Sequence, residues 1–133
     1  MFTPPHKKIL CVDDSEDNCE FCRIILAEVG YEVKFAHSMT DALQLIENST
    51  FSLCLSNISL PNGTGFELLD TVRAVDASFA SLPFIILSAD ARLLTQERAI
   101  QAGAQAFFPK PIDYDLLVAT IDQLLNSIKA AIY

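Results

Sequence analysis

Basic residues are scarce in this chain: 9 lysines and arginines stand against 17 aspartates and glutamates, for a net charge of −8 over 133 residues. A pI near 4.5 argues against direct binding to nucleic acid or to an anionic membrane, because both select cationic surfaces. Long apolar runs are missing too; no stretch approaches the roughly 20 residues of a membrane span. The opening Met1-Phe2-Thr3-Pro4-Pro5-His6-Lys7-Lys8 lacks the apolar core of a secretory signal, so a cytoplasmic protein is expected. There are no repeats, low-complexity runs or internal linkers, and one domain over residues 1–133, with its core at about 7–128, follows. Components of a metal cage are also lacking. Cys19 and Cys22 form a C-x-x-C, but no second cysteine pair or paired histidines complete it, and both fall in a helical stretch. Cys11 and Cys54 lie inside apolar runs, where cysteine behaves as a small hydrophobe. With 51% hydrophobic content the chain has core enough to do without a disulfide framework.

What is present is a five-fold alternation of strand-like and helical segments. Strands are expected at Lys7–Val12, Glu32–Ala36, Phe51–Ser56, Phe84–Ser88 and Ala106–Pro109. The runs Ile9-Leu10-Cys11-Val12, Phe51–Leu55 and Phe84-Ile85-Ile86-Leu87 are nearly continuous rather than alternating, which implies burial on both faces of a parallel sheet. Helical spacing shows in Cys22, Ile25, Leu26 and Val29, stopped by Gly30, and in Leu117, Ile121, Leu124, Leu125 and Ile128. Ala42, Leu43 and Ile46 mark a shorter helix with Ser38 as its cap. Pro61-Asn62-Gly63 is a turn leading into a helix over Gly65–Val75, and another helix runs from about Leu93 to Ala102, ending at Gly103. The fold class is α/β: a (βα)5 doubly wound, parallel five-stranded sheet of flavodoxin-like order 2-1-3-4-5. In such sheets ligands bind outside the carboxyl ends of the strands.

The strand ends carry a suggestive set of side chains. Asp13 and Asp14 follow the first strand, Asn57 the third, Ser88 the fourth and Lys110 the fifth. Adjacent carboxylates repel unless a hard cation shares them, and Mg²⁺ favours a few carboxylates with water and phosphate oxygens. The plainer alternative is that one of them caps the first helix. A strand-end lysine can hold a phosphoryl oxygen as a point charge, and a serine can donate to the same group, although either residue alone is commonly just solvated. Their joint placement describes a site for a phosphoryl group. An acid is wanted at position 57 as well, and the residue there is an amide.

These residues resemble the receiver domain of two-component response regulators, including the single-domain chemotaxis regulator. The matching segments are Ile-Leu-Cys-Val-Asp-Asp at 9–14, Asn-Ile-Ser-Leu-Pro-Asn-Gly-Thr-Gly-Phe-Glu-Leu-Leu at 57–69, Leu-Pro-Phe-Ile-Ile-Leu-Ser-Ala at 82–89, and Ala-Gly-Ala-Gln-Ala-Phe-Phe-Pro-Lys-Pro at 102–111. The resemblance implies Mg²⁺ held by Asp14 directly, by Asp13 partly through water, and by the Ser59 carbonyl. It also implies that Lys110 contacts the phosphoryl group and that Ser88 turns toward it on activation. Two departures stand out. Asn57 occupies the phosphoacceptor position, where a neutral amide is a far poorer nucleophile and a weaker Mg²⁺ ligand than a carboxylate. Phe107 stands where many family members carry a switch tyrosine; it is equally readable as a core aromatic beside the last helix.

The resemblance places the partner surface on the fourth helix, fifth strand and fifth helix, about Arg92–Gly103, Ala106–Pro109 and Tyr114–Lys129. A histidine kinase, phosphotransfer or output protein is the expected partner. The leading expectation is a pseudo-receiver: a phosphorylation-independent interaction module, not an enzyme, with Mg²⁺ binding weakened. Ser56 and Ser59, standing where this family often has acids, favour that reading over a normal phosphoaccepting receiver whose aspartate was substituted. A flavodoxin-like electron carrier shares the strand order, but Asp13-Asp14-Ser15-Glu16-Asp17 would repel a flavin phosphate. Hydrolysis is poorly supported, since His37 has no evident nucleophile and His6 lies in the tail.

Overall fold

A computed structural model of the chain describes residues 7–75 and 81–130. Strand β1 (Lys7–Val12) leads into α1 (Glu16–Glu28), β2 (Tyr31–Ala36), α2 (Met39–Asn48) and β3 (Leu53–Asn57). A short ribbon of β4 (Ser59–Leu60) and β5 (Gly63–Thr64) precedes α3 (Gly65–Val75), followed by β6 (Phe84–Ser88), α4 (Leu93–Gln101), β7 (Ala106–Pro109) and α5 (Tyr114–Ala130). The main sheet has the order β2-β1-β3-β6-β7 with every pairing parallel, so the expected doubly wound topology is what forms.

Each central strand sends alternate residues into two separate cores. Leu10, Val12, Cys54, Phe84 and Ile86 face α2, α3 and α4, where Ala42, Ile46, Leu69, Val72 and Ala99 meet them. Ile9, Cys11, Leu53, Leu55, Ile85 and Leu87 face α1 and α5, against Cys19, Cys22, Leu26, Leu117, Ile121 and Leu125. Apolar side chains on both strand faces explain the continuous runs in the sequence.

Local signals account for the helix boundaries. Ser38 caps α2 as expected, its hydroxyl accepting from the Asp41 N–H at 3.1 Å. At the start of α1 the cap is Ser15, whose hydroxyl accepts from Asn18 N–H; neither adjacent aspartate does this work. Helix α1 stops at Glu28, and Gly30 follows with φ +93°, a conformation that costs a side chain energy and glycine nothing.

Several expected details shift. Val29 lies beyond the helix and is 50% exposed, so it leaves the apolar stripe, and Ile25 is only half-buried. The third strand begins at Leu53 and includes Asn57, which pairs with Leu87; the second begins at Tyr31. Phe107 packs on the α2–α3–α4 side, and it is Phe108 that meets α5, because adjacent strand residues point to opposite faces. The side chain of Ile128, the residues His6 and Tyr133, and the rest of both termini lie outside the described residues.

The turn after β3 is drawn tight against the strand. Gly65 N–H donates to the Ile58 carbonyl at 2.7 Å, and a Cβ on Gly65 would stand 2.3 Å from the Asn57 carbonyl oxygen. The obstacle is backbone, so it cannot rotate away. Gly65→Ala is expected to cost on the order of 1–3 kcal/mol in chemical denaturation, because the β3 end must move to admit one methyl group.

Candidate functional site

The carboxyl ends of β1, β3, β6 and β7 bring Asp13, Asn57, Ser88 and Lys110 to one end of the sheet. Asp13 follows β1 directly and extends its ladder, donating its N–H to the Ala36 carbonyl at 3.0 Å. Its side chain is only 4% exposed. A buried carboxylate must be matched by donors, and here there are three. Ser15 N–H reaches one oxygen at 2.9 Å; the Asn18 amide and the Lys110 ammonium each reach the other at 3.3 Å.

Lys110 is aimed by its backbone. Its N–H donates to the Ser88 carbonyl at 2.8 Å, carrying the β6–β7 pairing one residue past the strand. The following peptide bond to Pro111 is cis. Ser88 is buried, and its hydroxyl accepts from Asp90 N–H at 2.9 Å. Asp14, by contrast, is exposed.

Asn57 closes β3. Its Oδ1 is buried and has no hydrogen-bond partner among the described residues. Ser56 beside it is fully buried and donates its hydroxyl back to the Asn57 carbonyl at 2.9 Å. A cavity of about 390 Å³ opens over this end of the sheet, lined in part by Asn57, Ser59, Ser88, Asp90, Arg98 and Lys110.

The structure therefore brings together Asn57, Ser59, Ser88 and Lys110 around one cavity, with Asp13 bonded to Lys110 at its edge. Phe107 is half-buried and lies in the neighbouring core. Sequence reasoning missed Ser15 and Asn18 as partners of Asp13, though a donor one turn into the helix after a strand-end acid is a readable signal. It also missed the rim formed by Asp90, Arg92 and Thr95. Asp90 accepts from Arg92 Nη2 at 2.7 Å and from the Thr95 hydroxyl at 2.9 Å, and the Arg92 guanidinium holds its carboxyl well below the usual carboxylate range. Arg98 lies over the Phe66 ring, 4.3 Å from its centroid.

An oxygen-seeking ion is compatible with these groups. The Asn57 Oδ1 is a buried acceptor with no donor among the described residues, and the Asp13 carboxylate is paired with Lys110, which lines the same cavity as Asn57. All the donors are hard oxygens, as Mg²⁺ requires. Among the described residues, however, no three His, Cys, Asp or Glu side chains are grouped to hold a metal. Lys110 already shares the Asp13 carboxylate.

Acids, a hydroxyl and a lysine at the carboxyl ends of a five-stranded parallel sheet of order 2-1-3-4-5 define the receiver class of α/β domains. The chain belongs to the response regulator receiver domain family, whose profile matches residues 9–122. It is 33% identical over 123 residues to the response regulator protein PilR of Pseudomonas aeruginosa, an overlap that takes in 90% of this chain and 27% of PilR. It is 31% identical over 117 residues to the transcriptional regulatory protein ZraR of Salmonella typhimurium, across 88% of this chain and 26% of ZraR. The chain thus spans about a quarter of the length of these curated relatives. Among solved structures, a CheY-like receiver domain protein of Methanospirillum hungatei superposes with TM-score 0.86 at 31% identity, covering 96% of this chain and 99% of that one. The chemotaxis response regulator CheY4 of Vibrio cholerae superposes with TM-score 0.84 at 26% identity, covering 91% and 100%. No helix among the described residues is long and apolar enough to cross a membrane.

Two outcomes follow from this geometry. Lys110→Met strips the buried Asp13 carboxylate of the one cation that pairs with it among the described residues and should lower stability at pH 7 by about 1–3 kcal/mol in urea denaturation, since the Lys110 head is only partly screened by solvent. The second concerns His37, whose Nδ1 lies 3.0 Å from the Asp13 carbonyl. Donation to that carbonyl favours the charged ring and raises its pKa above the ordinary value. A raised folded pKa stabilises fully below the unfolded value, and the benefit is lost as pH climbs through the folded one. The stability difference between the parent and His37→Asn should therefore be larger at pH 5.5 than at pH 8.5.

Proposed function

We propose that this receiver domain works as a phosphorylation-independent protein-interaction module in two-component signalling. The observation that carries the proposal is the end of β3: an amide, with its oxygen buried and unpartnered, at the place where the family's acceptor carboxylate is expected. Phosphoryl transfer to a receiver needs a carboxylate oxygen to attack phosphorus while the bond to the donor breaks. The Asn57 amide is neutral, and its lone pairs are delocalised, so the attack is lost.

The charge balance supports the same reading. Replacing a carboxylate by an amide removes one negative charge from the group formed with Asp13 and Asp14. Lys110, 3.3 Å from Asp13, balances part of what is left. Mg²⁺, where it binds, would be held by Asp13, Asp14, the Asn57 Oδ1 and the Ser59 carbonyl, and would supply charge neutralisation for an incoming oxyanion. Its affinity is reduced by the missing anion.

Partner contact then falls to the face made by α4, β7 and α5. Leu93 (68%), Leu94 (77%), Ile100 (53%) and Leu116 (54%) are exposed apolar residues on those helices. A histidine kinase, phosphotransfer or output protein is the partner class this face would serve, and no catalytic turnover is assigned to the domain. A cytoplasmic location belongs to the same reading. Phe107, packed behind the face on the α4 side, lacks the hydroxyl through which a tyrosine switch would signal.

One observation favours a second reading, a receiver in which only the acceptor is absent: Ser88 and Lys110 both line the cavity with Asn57. Incubation with Mg²⁺ and acetyl phosphate or phosphoramidate, followed by intact mass, separates the cases. The chain is expected to stay unmodified while Asn57→Asp gains about 80 Da, one phosphoryl group. If Asn57→Asp also stays unmodified, the pocket is altered beyond its acceptor. A stable phosphoryl adduct on the unaltered chain overturns the proposal.

A further inference from the structure

Three of the four cysteines meet beneath the acidic pocket. Cys11 projects from β1 into the core shared with α1, where Cys19 and Cys22 come down to meet it, and all three are free, buried thiols. The Cys11 and Cys19 sulfurs are 4.0 Å apart. Cys54 is also free and buried but belongs to the opposite core, so it cannot join them.

Buried thiols are inert when nothing can reach them. Here a second cavity, of about 450 Å³, lies along α1 and α5, and its wall includes Cys11, Cys22, Asp13, Lys110, Tyr114 and Leu117. A molecule the size of hydrogen peroxide fits in this cavity, and Cys11 forms part of its wall. Closing a disulfide brings two sulfurs to about 2.05 Å, so the Cys11–Cys19 pair needs only about 2 Å of approach. Each cysteine has a single side-chain torsion with which to make it.

We propose that Cys11 and Cys19 are a site of reversible oxidative modification, closing to a disulfide when hydrogen peroxide enters the cavity between α1 and α5. One sulfur of the pair attacks a peroxide oxygen: an S–O bond forms, the O–O bond breaks, and the departing oxygen leaves as water with the thiol proton. The other sulfur then attacks the resulting sulfenic acid. The S–S bond forms, the S–O bond breaks, and a second water leaves with the remaining thiol proton. Two thiols and one peroxide become one disulfide and two waters, and a dithiol reductant reverses the change.

The location gives the bond a consequence. Cys19 Sγ donates to the Asp13 carbonyl at 3.6 Å, the same carbonyl that His37 approaches. Turning Cys19 toward Cys11 removes that contact and ties the first half of α1 to the strand that presents Asp13. Oxidation of the thiol pair therefore acts on the support of the acidic residue at the pocket edge, independently of whether Asn57 accepts a phosphoryl group.

The test uses the folded chain, exposed to hydrogen peroxide and weighed intact, then alkylated and cleaved at aspartate and glutamate so that Cys11, Cys19 and Cys22 fall on separate peptides. The expected result is a loss of about 2 Da, two hydrogens, with a Cys11–Cys19 crosslink that dithiothreitol reverses. The crosslink should persist in Cys22→Ser, disappear in Cys19→Ser, and leave the circular dichroism of the oxidised chain folded. Four free thiols after exposure, a bond from Cys11 to Cys22, bonds only between chains, a bond that forms only after unfolding, or over-oxidation of Cys22 alone would each overturn the proposal.

Discussion

A carboxylate buried at the end of β1 sets the terms for everything around it. Asp13 is nearly closed off from solvent, and three elements supply its donors: the turn into α1, the first turn of α1 itself, and the segment just past β7. Removing any of them leaves a charged group in a low-dielectric setting, which is far more costly than losing an exposed ion pair. The contact between Asp13 and Lys110 joins residues 97 apart in sequence, and it spans the sheet from its first strand to its last. The strand order makes this possible, since β1 and β7 flank the central pair β3 and β6, and all four deliver their ends to one side.

Within that frame the amide at position 57 changes the role of Lys110. With a carboxylate at the end of β3, the lysine would have two anions to choose between. With Asn57 it has Asp13 alone among the inward acids, and Asn57 Oδ1 is left without a donor. The Asp13 charge thus already has a resident ammonium beside it. A site with one anion fewer has less to gain from a metal or a phosphoryl group, and the proposal of an interaction module that does not wait for phosphorylation rests on this.

Much of the fold was legible because burial on both faces leaves a plain mark. Ile9–Val12, Phe51–Leu55 and Phe84–Leu87 read as interior strands, and five strand-like segments separated by amphipathic helices leave few topologies. The ends of elements were harder. Val29 fits the helical spacing, yet the chain turns at Gly30 and carries it into solvent. Phe107 and Phe108 are both aromatic, so composition gave no sign of which face each takes; only the strand's period of two, fixed by its pairing with β6, decides. Asp13, Ser88 and Lys110 were readable as candidates from their strand-end positions. That Asp13 is buried while Asp14 is exposed was not readable, and neither was the choice of Ser15 rather than an aspartate as cap. Those facts depend on how a three-residue loop leaves the sheet.

The most direct measurement is the Mg²⁺ affinity of this chain beside that of Asn57→Asp, by calorimetric titration at one pH and ionic strength. If Lys110 already pairs with Asp13 and the acceptor anion is absent, the chain binds Mg²⁺ at least about tenfold more weakly than the aspartate variant, as ligand charge count dictates. Equal affinity in the two proteins would contradict the account, because it would mean that the residue at the end of β3 does not set the charge of the site.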